Sequence, residues 1–148
     1  MTYVLYNYKD SPEDFYYRLR ESVRLKIETG IEVDSFPMRY QPIMEIDPRR
    51  RYVGKKWTLK KRNAFSVIRS FHSFHGEVSM HGGPSFNSSM EEFEYWFGKD
   101  KKEFVKLLTY PDLRRLCKRK VGLLRLARAK GVKVKWEKIR KIQLSLIK

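Results

Sequence analysis

The sequence predicts an α/β protein, in which two parallel strands joined through a helix are followed by a mostly helical C-terminal region. Three observations predict it. Two short, β-prone apolar runs flank an amphipathic stretch that carries helix start and stop residues. From Thr58 onward, apolar residues recur mainly at helical spacing. Gly and Pro act as punctuation and form no linker. With 148 residues, 41% of them hydrophobic and 14% aromatic, the chain has enough apolar material for a real core.

Tyr3-Val4-Leu5-Tyr6 reads as a buried strand, and Asn7 after it tolerates a tight turn. Ser11 is placed to cap a helix, with Pro12 at the first helical position and Glu13 and Asp14 at the positive end of the helix dipole. Phe15, Leu19, Val23 and Ile27 form one apolar stripe, and Gly30 is placed to stop the helix. Ile31 to Phe36 resumes a strand that Pro37, having no amide hydrogen, is expected to end. Strand, helix and strand with short turns form the crossover of a parallel sheet.

From Met38 to Trp57 the pattern gives way to a polar, Pro-bearing loop. Thr58 then begins a helix with Ala64, Val67, Ile68, Phe71 and His75 on one side and Gly76 past its end. Ser88 to Glu91 and Asp100 to Glu103 carry capping-box spacing, the latter with Asp in place of Ser or Thr. Each precedes an apolar helical pattern: Phe93, Trp96 and Phe97, then Phe104, Leu107 and Leu108, with Pro111 ending the second. Leu113, Leu116, Cys117, Leu124 and Ala127 mark a further helix ending near Gly131. Val132 to Trp136 alternates like a strand, while Trp136, Ile139, Gln143, Leu146 and Ile147 suit a final helix, the reading we adopt. Three segments result: 1–57, a strand–helix–strand unit with its loop; 58–110, helical; and 111–148, a basic helical tail.

The charge is local. The chain carries a formal +16, yet residues 1–98 hold 15 basic and 13 acidic residues, whereas 99–148 hold 18 basic and 4 acidic. Arg114, Arg115, Lys118, Arg119, Arg125, Arg128 and Lys130, with Lys133 and Lys135 beyond them, would attract the phosphates of RNA or another polyanion; equally, they could form a solvated face. Tyr40, Arg49, Arg50, Arg51, Tyr52, Lys55, Lys56 and Trp57 form a second basic and aromatic group, suited to stacked bases or a phosphate unless Tyr40 and Trp57 pack in the core.

Other chemistry finds less support. His72, His75 and His81 have no carboxylate or thiol spaced to complete a metal site, so they read as structural or surface residues. Gly82-Gly83-Pro84 fits neither phosphate-loop spacing. Cys117 is the only cysteine, which excludes an internal disulfide and any Cys-rich metal or iron–sulfur site built from this chain alone, and its apolar position reads as a buried thiol. No apolar run reaches the length of about eighteen residues needed to span a bilayer, and no secretory leader pattern opens the chain, so the expected location is the cytoplasm.

Tyr3-Val4-Leu5-Tyr6-Asn7, Ser11-Pro12-Glu13-Asp14-Phe15-Tyr16-Tyr17-Arg18-Leu19 and Ser35-Phe36-Pro37-Met38-Arg39-Tyr40-Gln41-Pro42-Ile43 resemble the late strands and helix of a group of radical S-adenosylmethionine proteins. Tyr52-Val53-Gly54-Lys55-Lys56-Trp57 and Phe97-Gly98-Lys99-Asp100, with Glu103-Phe104, are similar to that group's helical tail. The resemblance covers roughly the first 110 residues, and the Ser-Phe-Pro-Met-Arg-Tyr run is its most specific part. It implies an incomplete β/α barrel, of which this chain supplies two parallel strands. Members of the family hold a 4Fe–4S cluster and S-adenosylmethionine through a Cys-x3-Cys-x2-Cys loop that this chain lacks. The resemblance therefore implies a separated, truncated or subunit form, inactive unless complemented. Its partner would be a companion polypeptide carrying the N-terminal barrel half, or a second copy of the chain. It also implies that Asn7, Phe36, Met38, Arg39, Tyr40 and Gln41 border the cosubstrate or substrate. Asn7 and Gln41 would do so by hydrogen bonds, Phe36 and Met38 by apolar contact and Arg39 by pairing an anion, although Phe36 and Met38 could instead be core.

Overall fold

A computed structural model describes residues 2–31, 35–44, 52–71 and 89–130. Strands β1 (Thr2–Tyr6) and β2 (Ser35–Arg39) pair in parallel, with Thr2 opposite Ser35 and Tyr6 opposite Arg39, and helix α1 (Pro12–Thr29) makes the crossover. The α/β class with two parallel strands and a helical C-terminal region is the one observed. Both ends of α1 follow from its sequence. Ser11 Oγ accepts from the Asp14 amide at 3.1 Å while the Asp14 carboxylate accepts from the Ser11 amide at 2.8 Å, a reciprocal cap that also holds the Asp14 carboxyl below its usual range. Gly30, at φ 66°, returns its N–H to the Lys26 carbonyl.

Phe15, Leu19 and Val23 are buried, but Ile27, the fourth residue of the predicted stripe, is 49% exposed. Length explains this. Eighteen helical residues span about 27 Å, whereas five strand residues span about 17 Å, so the last turns of α1 run past the sheet.

Pro37 does not end the second strand; it lies at its centre, opposite Val4. The Tyr40 amide donates to the Tyr6 carbonyl at 2.9 Å, and in a parallel ladder alternate residues bond a given neighbour. The amides of Phe36, Met38 and Tyr40 therefore face β1, and position 37 faces away, where a missing N–H breaks no bond with β1. The same parity leaves Tyr3 and Leu5 as the residues whose backbone faces the free edge of β1, on which no strand among the described residues pairs. The Leu5 carbonyl there accepts from the Arg18 guanidinium at 2.6 Å.

The strands are not buried on both faces, as the run Tyr3 to Tyr6 suggested. Val4, Tyr6 and Pro37 are buried on the helix side, whereas Tyr3, Leu5 and Met38 on the opposite face are exposed and Phe36 is half-buried.

Tyr6 enters an aromatic core, its ring 5.2 Å from Phe15, 5.6 Å from Trp57 and 4.9 Å from Phe65. Phe65 belongs to α2 (Leu59–Ser70), capped by Thr58 as predicted; Phe71 is buried at its end, and His75 and Gly76 lie outside the described residues. Helices α3 (Met90–Phe97), α4 (Lys101–Leu108) and α5 (Leu113–Ala129) complete the described chain. The cap of α3 is Ser89, one residue later than the predicted spacing, with its hydroxyl accepting from the Glu92 amide. Asp100 caps α4 by accepting from the Lys102 and Glu103 amides, while Glu103 accepts from Lys99 rather than closing the box. Tyr16 in α1 donates to the Gly98 carbonyl at 2.9 Å and so ties the crossover helix to the end of α3. The proposed final strand or helix, the three histidines and the Gly82-Gly83-Pro84 turn lie outside the described residues.

Candidate functional site

The C-terminal ends of β1 and β2 gather the residues of the first candidate site. Asn7 is fully buried with φ 68°. Its Oδ1 accepts from the Gly54 amide at 2.9 Å and its Nδ2 donates to the Tyr52 carbonyl at 3.1 Å, with the Tyr40 carbonyl at 3.5 Å. Its amide is thus engaged by the chain itself, so the hydrogen-bonding role toward a ligand that the resemblance implied is taken by the segment after β2. The Arg62 guanidinium, also buried, donates to the same Tyr52 carbonyl at 2.8 Å. Gly54 closes the clasp: a Cβ there would lie 3.0 Å from the Asn7 carbonyl carbon and closer still to the Tyr8 carbonyl oxygen.

Around this clasp three tyrosines meet. The Tyr8 and Tyr40 rings are 4.3 Å apart, Tyr40 and Tyr52 are 5.5 Å apart, and the Lys9 ammonium sits 5.4 Å from the Tyr8 ring centre. Arg39, Gln41, Lys55 and Lys56 are exposed nearby in the chain. Trp57, in contrast, is buried in the core. Arg49, Arg50 and Arg51 lie outside the described residues. Sequence reasoning grouped Tyr40 with Tyr52 but missed Tyr8, whose position just past the strand end was the available signal.

Met38 is exposed, as are Tyr3 and Leu5 on the same sheet face, whereas Phe36 is half-buried and packs against the core; its ring meets Tyr3 edge-on at 6.0 Å and the Arg69 guanidinium at 4.8 Å. This face continues to the free edge of β1, where Tyr3, Leu5, Tyr17, Arg18, Glu21 and Leu25 line an open groove of about 540 Å³.

The second candidate site is α5. Asp112 precedes it and accepts from the Arg115 amide, and within Leu113–Ala129 there is no acidic residue. Arg114, Arg115, Lys118, Arg119 and Arg125 are all exposed on the outer side, as is Lys130 just beyond; the Arg128 side chain, Lys133 and Lys135 lie outside what is described. No salt bridge among the described residues engages Arg114, Arg115, Lys118 or Arg119.

One basic residue departs from that face. Lys120 is 3% exposed, and its ammonium donates to the Tyr95 and Trp96 carbonyls at 2.9 and 3.2 Å, closing the C-terminal turn of α3. Burial lowers its pKa to about 8. Tyr95 answers by donating to the Lys120 carbonyl at 3.0 Å. The Cys117 thiol is buried beside them and pushed up to about 11 by desolvation, which leaves it a packing residue. Sequence reasoning missed Lys120, although its spacing of three from Cys117 and four from Leu124 puts it on the apolar side.

No protein-family model, curated protein or solved structure matches this chain. The functional reading therefore rests on its own residues. Among the described residues no group of three His, Cys, Asp or Glu side chains is placed to hold a metal ion, and no helix is long and apolar enough to cross a membrane.

Proposed function

We propose that the chain is the closing part of a radical S-adenosylmethionine protein. It lines the cosubstrate and substrate side of a β/α barrel with its last two strands, and a companion polypeptide carries the earlier strands and the cluster loop. The observation that carries this reading is the sheet face bearing Tyr3, Leu5, Phe36 and Met38. In a β/α barrel the helices cover the outer face of the strands and the inner face is filled by side chains from the other strands. Here α1 covers one face of a parallel pair; on the other, Tyr3, Leu5 and Met38 are exposed and Phe36 is half-buried beside Arg69. The free edge of β1 is the side on which earlier strands would pair.

The iron–sulfur cluster does not fit this chain. One buried cysteine cannot supply three thiolate ligands, so no step through the cluster is assigned to these residues. The cosubstrate-side roles that remain are positional. Met38 and Phe36 offer apolar contact from the inner face, Arg39 and Gln41 offer exposed donors at the strand end, and Tyr40 offers a ring held by Tyr8 and Tyr52. Asn7 acts one step back, by fixing the backbone from which these side chains project.

The test is co-expression with a Cys-x3-Cys-x2-Cys polypeptide bearing the earlier strands, followed by anaerobic reconstitution. The expected result is a one-to-one complex by light scattering that cleaves S-adenosylmethionine when neither chain does so alone. Leu5→Glu and Met38→Glu, both at exposed positions, should abolish the complex while leaving the melting of the free chain unchanged. A cooperatively folded monomer that neither binds the companion nor alters its turnover would overturn the reading.

A further inference from the structure

Helix α5 carries a surface that the barrel reading does not use. At about 100° per residue, Arg114, Lys118 and Arg125 form one ridge, and Arg115 and Arg119 form a second, about 100° around the helix. Leu126 follows Arg119 on the second ridge, so that ridge is cationic only in its first half. The crown between the ridges carries Gly122 and Ala129. Gly122 is exposed, and a Cβ there would meet nothing within 4 Å. Packing against the described residues therefore does not require glycine at a mid-helix position where it weakens the helix. Its effect is to let the helix backbone come close to whatever lies over the crown.

We infer that α5 docks in the major groove of duplex DNA, with its two cationic ridges on the flanking phosphates and the small-residue crown turned to the groove floor. Three features favour this partner. Cations on both flanks of one helix match phosphates on both walls of a groove about 12 Å wide, which admits a helix about 10–12 Å across. The major groove of A-form RNA is too narrow and deep, and its minor groove is too shallow, for phosphates to flank a helix in this way. The face also carries no aromatic residue, so it lacks the stacking platform that single strands use. The contacts are to phosphates, so binding is independent of base sequence.

The test is fluorescence anisotropy of the full chain with a labelled DNA duplex of arbitrary sequence, alongside an RNA duplex and a single strand of the same sequence. Five phosphate contacts predict a slope of log K against log salt of about −4.5 for the DNA duplex, and Arg114→Ala, Arg115→Ala, Lys118→Ala and Arg119→Ala should each reduce its magnitude by about 0.9. Gly122→Gln leaves the charge unchanged, and it should weaken DNA binding several-fold with no loss of thermal stability. Any of these results overturns the inference: no DNA binding at low salt, binding unaffected by all five substitutions, or RNA or the single strand bound as tightly as duplex DNA.

Discussion

Asn7→Ala tests the clasp that holds the strand ends. The substitution removes the acceptor for the buried Gly54 amide and the donor to Tyr52, and it places alanine at φ 68°. An orphaned buried N–H costs about 1–3 kcal/mol. The Tyr52 carbonyl keeps its bond from Arg62 and adds little. A left-handed conformation costs about 1–2 kcal/mol for a residue that, unlike asparagine, cannot bond locally. The expected loss is roughly 3 kcal/mol, read as a shift in urea midpoint at constant slope and as a fall in Tm of about 10 °C. Asn7→Gly separates the two terms, because it loses the hydrogen bonds but relieves the backbone, and it should recover about 1–2 kcal/mol relative to alanine. A variant Asn7→Ala within about 0.5 kcal/mol of the parent, the scatter of an ordinary surface substitution, would refute the reasoning.

Two further predictions follow from buried groups. Gly54→Ala forces a methyl against the Tyr8 carbonyl, and denaturant melts should show a loss of about 1–3 kcal/mol or more; combined with Asn7→Ala the losses should fall short of additive, because both open the same clasp. Lys120 has a folded pKa of about 8, below its ordinary 10.5. Below pH 8 both states hold the proton, whereas above it only the unfolded chain does, so stability should rise with pH. Cys117, raised from 9 to about 11, acts in the opposite sense above pH 9, so the rise should be confined to about pH 8–9. Lys120→Met should flatten that rise; melts across the window that show the same rise in the variant would exclude Lys120 as its source.

The elements that local chemistry defines could be read from the sequence. Ser11, Thr58 and Asp100 cap helices because their side chains reach amides two or three residues away, and Gly30 stops α1 because it alone accommodates φ 66° at little cost. What depends on distant partners could not be read. Asn7 was read as a turn residue with a possible ligand role, since nothing local says that its amide meets Gly54, 47 residues on. Pro37 was read as a terminator because its tolerance depends on which edge of the strand has a neighbour. Lys120 received no reading, because nothing local says that its ammonium ends on the carbonyls of another helix. For the candidate site, the strand-end residues could be grouped from their positions in the chain. Their division into an engaged Asn7, an exposed Met38, a half-buried Phe36 and a tyrosine cluster required the register of the two strands.

The central claim is that β1 is an interior strand of a larger sheet whose remaining strands come from a companion chain. Residue-resolved amide hydrogen exchange tests it directly. In the isolated chain, the Val4 and Tyr6 amides, which face β2, should be protected, while those of Tyr3 and Leu5, which face the free edge, should exchange rapidly. On binding a companion bearing the cluster loop, Tyr3 and Leu5 should become as protected as Val4 and Tyr6. Unchanged rapid exchange at Tyr3 and Leu5 in a saturated complex would contradict the account.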